Sequence, residues 1–227
     1  MSVGVCPVLV GHVAAGMIAK RIEPKVSLGT FVLAAMLADL LWCIFMLAGV
    51  EHVHYGVGMG TANYVTDSNT PFSHGLLTNM LWAGLFAVAF FVKRHYWRGT
   101  LLILAVVLSH WILDFISNRE MPLVPGMSKV FGLDLWASTP LTLVVEGGLW
   151  LVGIIVYLRQ TPASSRIGVY GFWFVAALIT LVWYNNIAGP PPPNPNSAPI
   201  FALILFSLIV AWAYWMNRAR SLLASDR

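Results

Sequence analysis

Seven apolar runs separated by short polar connections dominate the pattern of hydrophobic and polar positions along this chain. Most runs are long enough to cross a hydrocarbon core of about 30 Å as helices that rise roughly 1.5 Å per residue. The pattern predicts an all-α, polytopic transmembrane helix bundle with about seven spans, or six if the short, glycine-rich first run is re-entrant. The runs are Val3–Ala19, Ser27–Val50, Phe72–Val92, Gly99–Ser117, Thr139–Leu158, Ile167–Ile187 and Ala198–Asn217.

The composition supports this interpretation and narrows the class of partner. Hydrophobic residues make up 59% of the 227 positions and charged residues only 10%, a balance typical of integral membrane proteins. The net charge of +4 comes from short basic clusters between the runs, which indicates membrane topology and a lipid bilayer as partner rather than nucleic acid. Cys6 and Cys43 lie in apolar runs without paired spacing, so neither a disulfide framework nor a thiolate zinc site is predicted.

The basic clusters alternate between the two sides of the predicted bundle. They follow runs one, three, five and seven, whereas the opposite connections hold only Arg119 and Lys129. The positive-inside rule therefore predicts a multi-pass protein of the cell (inner) membrane, with the N-terminus outside and the C-terminus in the cytoplasm. The two longest connections, 51–71 and 118–138, then lie on the non-cytoplasmic side, where long loops often carry function.

The ionisable residues divide the chain into two parts. Residues 1–160 are predicted to form a membrane-embedded domain of five helices that carries the candidate site. Residues 161–227 supply two further packing helices joined by the proline-rich stretch Pro190–Pro195, and their runs contain no acidic residue and no histidine. Any chemistry is therefore expected within the first five runs and their connections.

The fourth run contains the sequence Ser109-His110-Trp111-Ile112-Leu113-Asp114, in which a histidine and a carboxylate are four residues apart. On a helix this spacing places both side chains on one face, and an ionisable residue inside a membrane span indicates a functional site. At the helical rise, all the candidates lie within about 16 Å of the non-cytoplasmic end of their runs. The other candidates are His12, Asp39, His74 and Glu146.

Histidine nitrogens and aspartate oxygens together form a donor set that suits Zn, Mn, Fe or Ni. A divalent metal would neutralise the buried carboxylates and activate a water molecule, with one carboxylate left as general base. Each residue taken singly also has a structural interpretation. Asp39 and Glu146 are candidates for interhelical hydrogen bonds, His12 for helix packing, His74 for an interfacial residue, and His110 with Asp114 for a structural pair.

Four short motifs resemble the YdjM-like family of membrane-bound proteins regarded as metal-dependent hydrolases. The motifs are Gly11-His12, Leu37-Ala38-Asp39-Leu40, Pro71-Phe72-Ser73-His74-Gly75-Leu76, and Ser109-His110-Trp111-Ile112-Leu113-Asp114 followed by Met121-Pro122-Leu123. They occur in the family's order between about Gly11 and Glu146. The resemblance implies that the metal ligands are drawn from His12, Asp39, His74, His110 and Asp114.

The chain departs from the family pattern at three positions. Leu41 stands where a second aspartate is common, and Asn118-Arg119 stands where a histidine and an arginine often follow the last motif. His74 is followed by Gly75 rather than serine. The resemblance therefore implies a site with fewer ligands than in the family's usual pattern.

We therefore expect a membrane-embedded hydrolase whose metal, zinc or manganese, is held by His74, His110 and Asp114, with Asp39 or His12 completing the set. Asp39 or Glu146 would accept a proton from the activated water, and Arg119 would hold a phosphate or carboxylate of a lipid-like or phosphoester substrate. Two alternatives use the same residues. One is a proton-coupled transporter or channel with a His/Asp relay, and the other is a non-catalytic membrane scaffold.

Overall fold

The protein is a helix bundle with two small hairpins in its connections. The computed structural model describes residues 8–55, 65–127, 129–189 and 197–220, and Cys6 and Pro190–Pro195 lie outside these ranges. The described helices are α1 (Leu9–Ile22), α2 (Leu28–Ala35), α3 (Leu37–Leu47), α4 (Leu76–Arg94), α5 (Trp97–Ser117), α6 (Thr139–Gln160), α7 (Arg166–Ala188) and α8 (Ala198–Ala219). Strands β1 (His52–Tyr55) and β2 (Val65–Asn69) form one antiparallel pair, β3 (Glu120–Pro122) and β4 (Lys129–Phe131) form another, and a 3-10 turn covers Leu135–Ala137.

Five of the described helices, α4 to α8, are long and apolar enough to cross a membrane. Helices α2 and α3 meet the same test as a pair, but their axes are bent by 52° at a break, so they form one broken span or a re-entrant segment. The predicted all-α membrane bundle is therefore confirmed in class. The count of seven spans is not confirmed, because the described helices supply five candidates, or six with the bent pair.

Helix α1 accounts for much of the difference in span count. It has 14 described residues, which correspond to about 21 Å of helix and are too few to cross the hydrocarbon core alone. It packs against α2, α5 and α6, and most of its side chains are buried. Gly153 of α6 lies against Ala14 of α1. A Cβ atom added at Gly153 would be 2.8 Å from the Ala14 Cα, so the two backbones approach closely.

The last two helices share the core of the bundle with the first. Phe172 of α7 and Phe206 of α8 lie in the same buried cluster as residues of α1 and α6. Helix α8 also packs against α2 and α3. At the start of α2, the Leu28 amide donates to Asn217 Oδ1 of α8 over 3.1 Å, which satisfies one of the free N–H groups at that helix end.

Candidate metal centre

Helix α5 supplies two members of the candidate site. His110 Nε2 lies 3.1 Å from Asp114 Oδ2, as the i, i+4 spacing predicts, and both side chains are buried. The other ring nitrogen, Nδ1 of His110, donates a hydrogen bond of 2.8 Å to the carbonyl oxygen of Ala35. Because a carbonyl only accepts, this bond fixes the hydrogen on Nδ1 and leaves Nε2 with a free lone pair.

The break between α2 and α3 supplies both the carbonyl that orients His110 and a third side chain. Ala35 is the last residue of α2, so its carbonyl is among those that an α-helix leaves unpaired at its end. Helix α3 begins at Leu37, and Asp39 lies buried in its first turn. Asp39 Oδ1 lies 3.9 Å from His110 Nε2.

His74 reaches the same position from the connection before α4. Its Nε2 lies 3.6 Å from Asp39 Oδ1 and 3.5 Å from Asp114 Oδ2. Its side chain is 14% exposed, whereas those of Asp39 and Asp114 are about 1% exposed. His74 is thus the member of the cluster through which a molecule outside the bundle can approach.

Helix α1 brings His12 against the ring of His110. The two imidazole rings stack with their centroids 3.9 Å apart and their planes 12° from parallel. His12 Nε2 lies 3.3 Å from Asp114 Oδ1, so this carboxylate faces His12 with one oxygen and His74 and His110 with the other. The structure therefore gathers all five predicted metal-ligand candidates into one cluster.

The cluster has an unusual number of buried polar atoms without hydrogen bonds. Both ring nitrogens of His12, Nε2 of His110 and both carboxylate oxygens of Asp39 and of Asp114 make none within the described part of the chain. Leaving one such buried group unsatisfied costs about 1–3 kcal/mol. The atoms face one another over 3.1 to 3.9 Å, an arrangement that could hold a shared ligand at its centre.

The donor set and its spacing fit a metal ion. In a tetrahedral zinc site the ligand atoms lie about 2.0–2.2 Å from the metal and hence roughly 3.3–3.6 Å from one another. The distances from His74 and His110 Nε2 to Asp39 Oδ1 and Asp114 Oδ2 fall between 3.1 and 3.9 Å. Imidazole and carboxylate ligands together suit zinc and manganese, whereas magnesium prefers a shell made of oxygen ligands alone.

Two groups of three residues have ligand atoms within 4.8 Å of one another, namely His12, His110 and Asp114, and Asp39, His74 and His110. They share His110. Because Nδ1 of His110 is committed to Ala35, only Nε2 can bind a metal ion. Through His110 the two groups could therefore hold one ion, with alternative or combined ligands, rather than two ions at once.

The structure places Glu146 and Arg119 apart from these groups. The carboxylate of Glu146 accepts hydrogen bonds from the indole nitrogens of Trp136 at 2.8 Å and Trp183 at 2.7 Å, and from Ser117 Oγ at 3.4 Å. Both of its oxygens are therefore engaged, as in a structural link between helices. Arg119 is exposed two residues beyond the end of α5.

Two residues next to the site were not among the sequence-based candidates. Glu51 is 1% exposed and lies in the connection after α3, where a lone acidic residue is usually solvated. Ser73 is also buried and lies between this carboxylate and His74. The sequence offered one indication for Ser73, its place beside His74 in the motif Pro71-Phe72-Ser73-His74-Gly75-Leu76, and none for Glu51.

The chain was compared with protein-family models, with curated proteins and with solved structures, and none of these comparisons gives a match. The resemblance to the YdjM-like family therefore stays a prediction that depends on the four short motifs. The function is therefore inferred from the geometry of the site.

Proposed function

We propose that this protein is a membrane-embedded, metal-dependent hydrolase that acts on a lipid-like or phosphoester substrate. The observation that carries the proposal is the set of buried imidazole and carboxylate atoms of His12, Asp39, His110 and Asp114 that face one another without hydrogen bonds. A structural hydrogen-bond network would pair these atoms, whereas a metal-binding site leaves their lone pairs free. A bound zinc or manganese ion would supply Lewis acidity and lower the pKa of a coordinated water.

The side chains have distinct roles in this proposal. His74 and His110 would bind the ion through Nε2, and Asp114 through Oδ2, with His12 completing the set. Asp39 is the better general base of the two predicted carboxylates, because Glu146 already accepts three hydrogen bonds, whereas the oxygens of Asp39 accept none within the described structure. Asp39 would take the proton of the attacking water.

The surroundings of His74 support a lipid-like substrate. Phe72 is 39% exposed, and Leu77 and Met80 of α4 are each more than half exposed, although they lie close in sequence to a buried cluster of charge-bearing groups. An apolar surface close to His74 in sequence suits an acyl or prenyl chain, while Arg119, which is exposed and apart from the cluster, suits a phosphate or carboxylate group farther along the substrate. The basic clusters favour an inner-membrane protein whose site opens to the non-cytoplasmic side.

The first experiment is the metal content of the full-length protein purified in detergent. We expect about one zinc or manganese ion per wild-type chain and less than about a tenth of that in His110→Ala and Asp114→Ala, since each loses a buried ligand. His95→Asn is the matched control. It removes an exposed histidine with φ 49° and replaces it with a residue that tolerates this backbone conformation.

Metal-loaded wild type would then be assayed on phosphomonoesters, phosphodiesters and lipid esters in mixed micelles. We expect hydrolysis of one class that is lost in Asp39→Asn while the metal is retained. Monodisperse wild type that holds no zinc or manganese after reconstitution, or that holds it equally well without Asp114, would contradict the proposal.

A further inference from the structure

A chain of hydrogen bonds runs from Glu51 through Ser73 to His74. Glu51 Oε1 accepts the backbone N–H groups of Phe72 and Ser73, both over 2.8 Å. Glu51 Oε2 lies 2.6 Å from Ser73 Oγ, and Ser73 Oγ lies 2.7 Å from His74 Nδ1. Glu51 and Ser73 are at most 1% exposed, so water does not compete for these contacts.

The direction of each bond in this chain follows from chemistry. An ionised carboxylate only accepts, so the Ser73 hydroxyl donates its hydrogen to Glu51. The hydroxyl oxygen then accepts from His74, which places a hydrogen on Nδ1. The lone pair that remains on the neutral ring is at Nε2, the atom that faces Asp39 and Asp114.

We infer that Glu51 is a positioning residue for the metal site, acting through Ser73 to hold His74 in the tautomer that binds a metal through Nε2. The inference rests on the proposed metal centre and adds to it an outer carboxylate. His110 is held in the same tautomer by the Ala35 carbonyl. Both histidines are thus oriented by acceptors at Nδ1, and partners of this kind raise the basicity of a ligand and fix its ring.

Replacing Glu51 with glutamine should reverse the direction of the two side-chain hydrogen bonds, between residue 51 and Ser73 and between Ser73 and His74. The shape of the side chain at position 51 would change little. The amide oxygen must stay beside the Phe72 and Ser73 N–H groups, because the amide nitrogen there would meet two donors. The amide nitrogen then donates to Ser73 Oγ. The buried hydroxyl hydrogen has no water to bond, so it turns to His74 Nδ1 and forces the ring hydrogen to Nε2, where it blocks metal binding.

The test is a long-range ¹H–¹⁵N spectrum of full-length, metal-free protein labelled with ¹⁵N-histidine. The signals of His74 are those that are missing from the spectrum of His74→Ala. We expect a hydrogen on His74 Nδ1 in the wild type and none in Glu51→Gln. Glu120→Gln, the same change at an exposed carboxylate, should give the wild-type spectrum. An unchanged His74 Nδ1 in Glu51→Gln would overturn the inference, whether or not the protein binds metal.

Zinc affinity, measured by competition with a chelator, gives the second readout. We expect Glu51→Gln to weaken zinc binding by about 10- to 100-fold, the usual effect of losing such a partner, and Ser73→Ala to weaken it as well. In the His74→Ala background, Glu51→Gln should cause no further loss. An equal loss with and without His74 would overturn the positioning role. Wild type without zinc affinity would count against the metal centre, while the spectrum still decides how Glu51 acts on His74.

Discussion

Gly75 shows how a single residue shapes the entrance to the site. The chain before α4 folds back so that a Cβ atom at Gly75 would clash with the Pro71 carbonyl oxygen and lie 2.7 Å from Thr78 Oγ1. Thr78 Oγ1 donates to the same Pro71 carbonyl over 2.7 Å, which holds the turn closed. A residue with a side chain, such as serine, would not fit this turn, because its Cβ atom would meet the Pro71 carbonyl oxygen.

Gly75→Ala is expected to disturb the site through this turn. The added methyl group must push Pro71 or Thr78 away, and the shift moves His74 next to it. We predict at least a tenfold loss of zinc affinity by chelator competition, with the protein still monodisperse. Gly84→Ala, at a position of α4 where a Cβ atom meets nothing within 4 Å, is the control and should bind zinc as wild type does. Equal affinities for both variants would show that the turn tolerates the methyl group.

At the scale of helices, α5 could be predicted from the sequence and the broken pair α2 and α3 could not. The His110 and Asp114 spacing requires only that the run be helical, so their shared face followed from periodicity. The break at Met36 lies in the sequence Ala35-Met36-Leu37, which has neither proline nor glycine. At this break His110 of a distant helix donates a hydrogen bond to the Ala35 carbonyl, and local sequence carries no record of such a contact.

The contact between α1 and α6 sets the depth of His12. A methyl group at Gly153 would lie 2.7 Å from the Ala14 Cβ, so Gly153→Ala must separate the two helices. We expect a loss of about 1–3 kcal/mol in the free energy of unfolding, measured in mixed micelles, and weaker zinc binding because His12 moves with α1. The matched control is Gly148→Ala on the same helix, where nothing lies within 4 Å. A Gly153→Ala protein as stable as this control would mean that the helices adjust without cost.

Over the whole molecule, the sequence predicted the membrane class and the five residues of the cluster, because both depend on where charge interrupts apolar runs. It did not predict which run is buried rather than lipid-facing. Length alone left α1 open to several interpretations, and its enclosure by other helices depends on contacts that are distant in sequence. Glu51 was missed for a related reason, since an acidic residue in a connection is usually exposed, and only the folded loop buries it.

A metal ion held by residues of α1, α5 and the segment before α4 should stabilise the whole bundle. Zinc at a hundred times its dissociation constant is expected to raise the free energy of unfolding by about 2.7 kcal/mol. Thermal unfolding followed by tryptophan fluorescence would show a higher midpoint for wild type and no shift for Asp114→Ala. Magnesium should have little effect, because it prefers oxygen ligands. Equal shifts with zinc in both proteins would indicate binding elsewhere.

The enclosure of α1 also constrains the order in which the protein is assembled. His12 lies on the first described helix to be synthesised, and this helix packs against α6, which begins only at Thr139. Helix α1 therefore reaches its packed position only after α6 has been synthesised. The site becomes complete only late in biogenesis, so a nascent or truncated chain that ends before α6 would hold the later ligands without a fixed place for the earliest one.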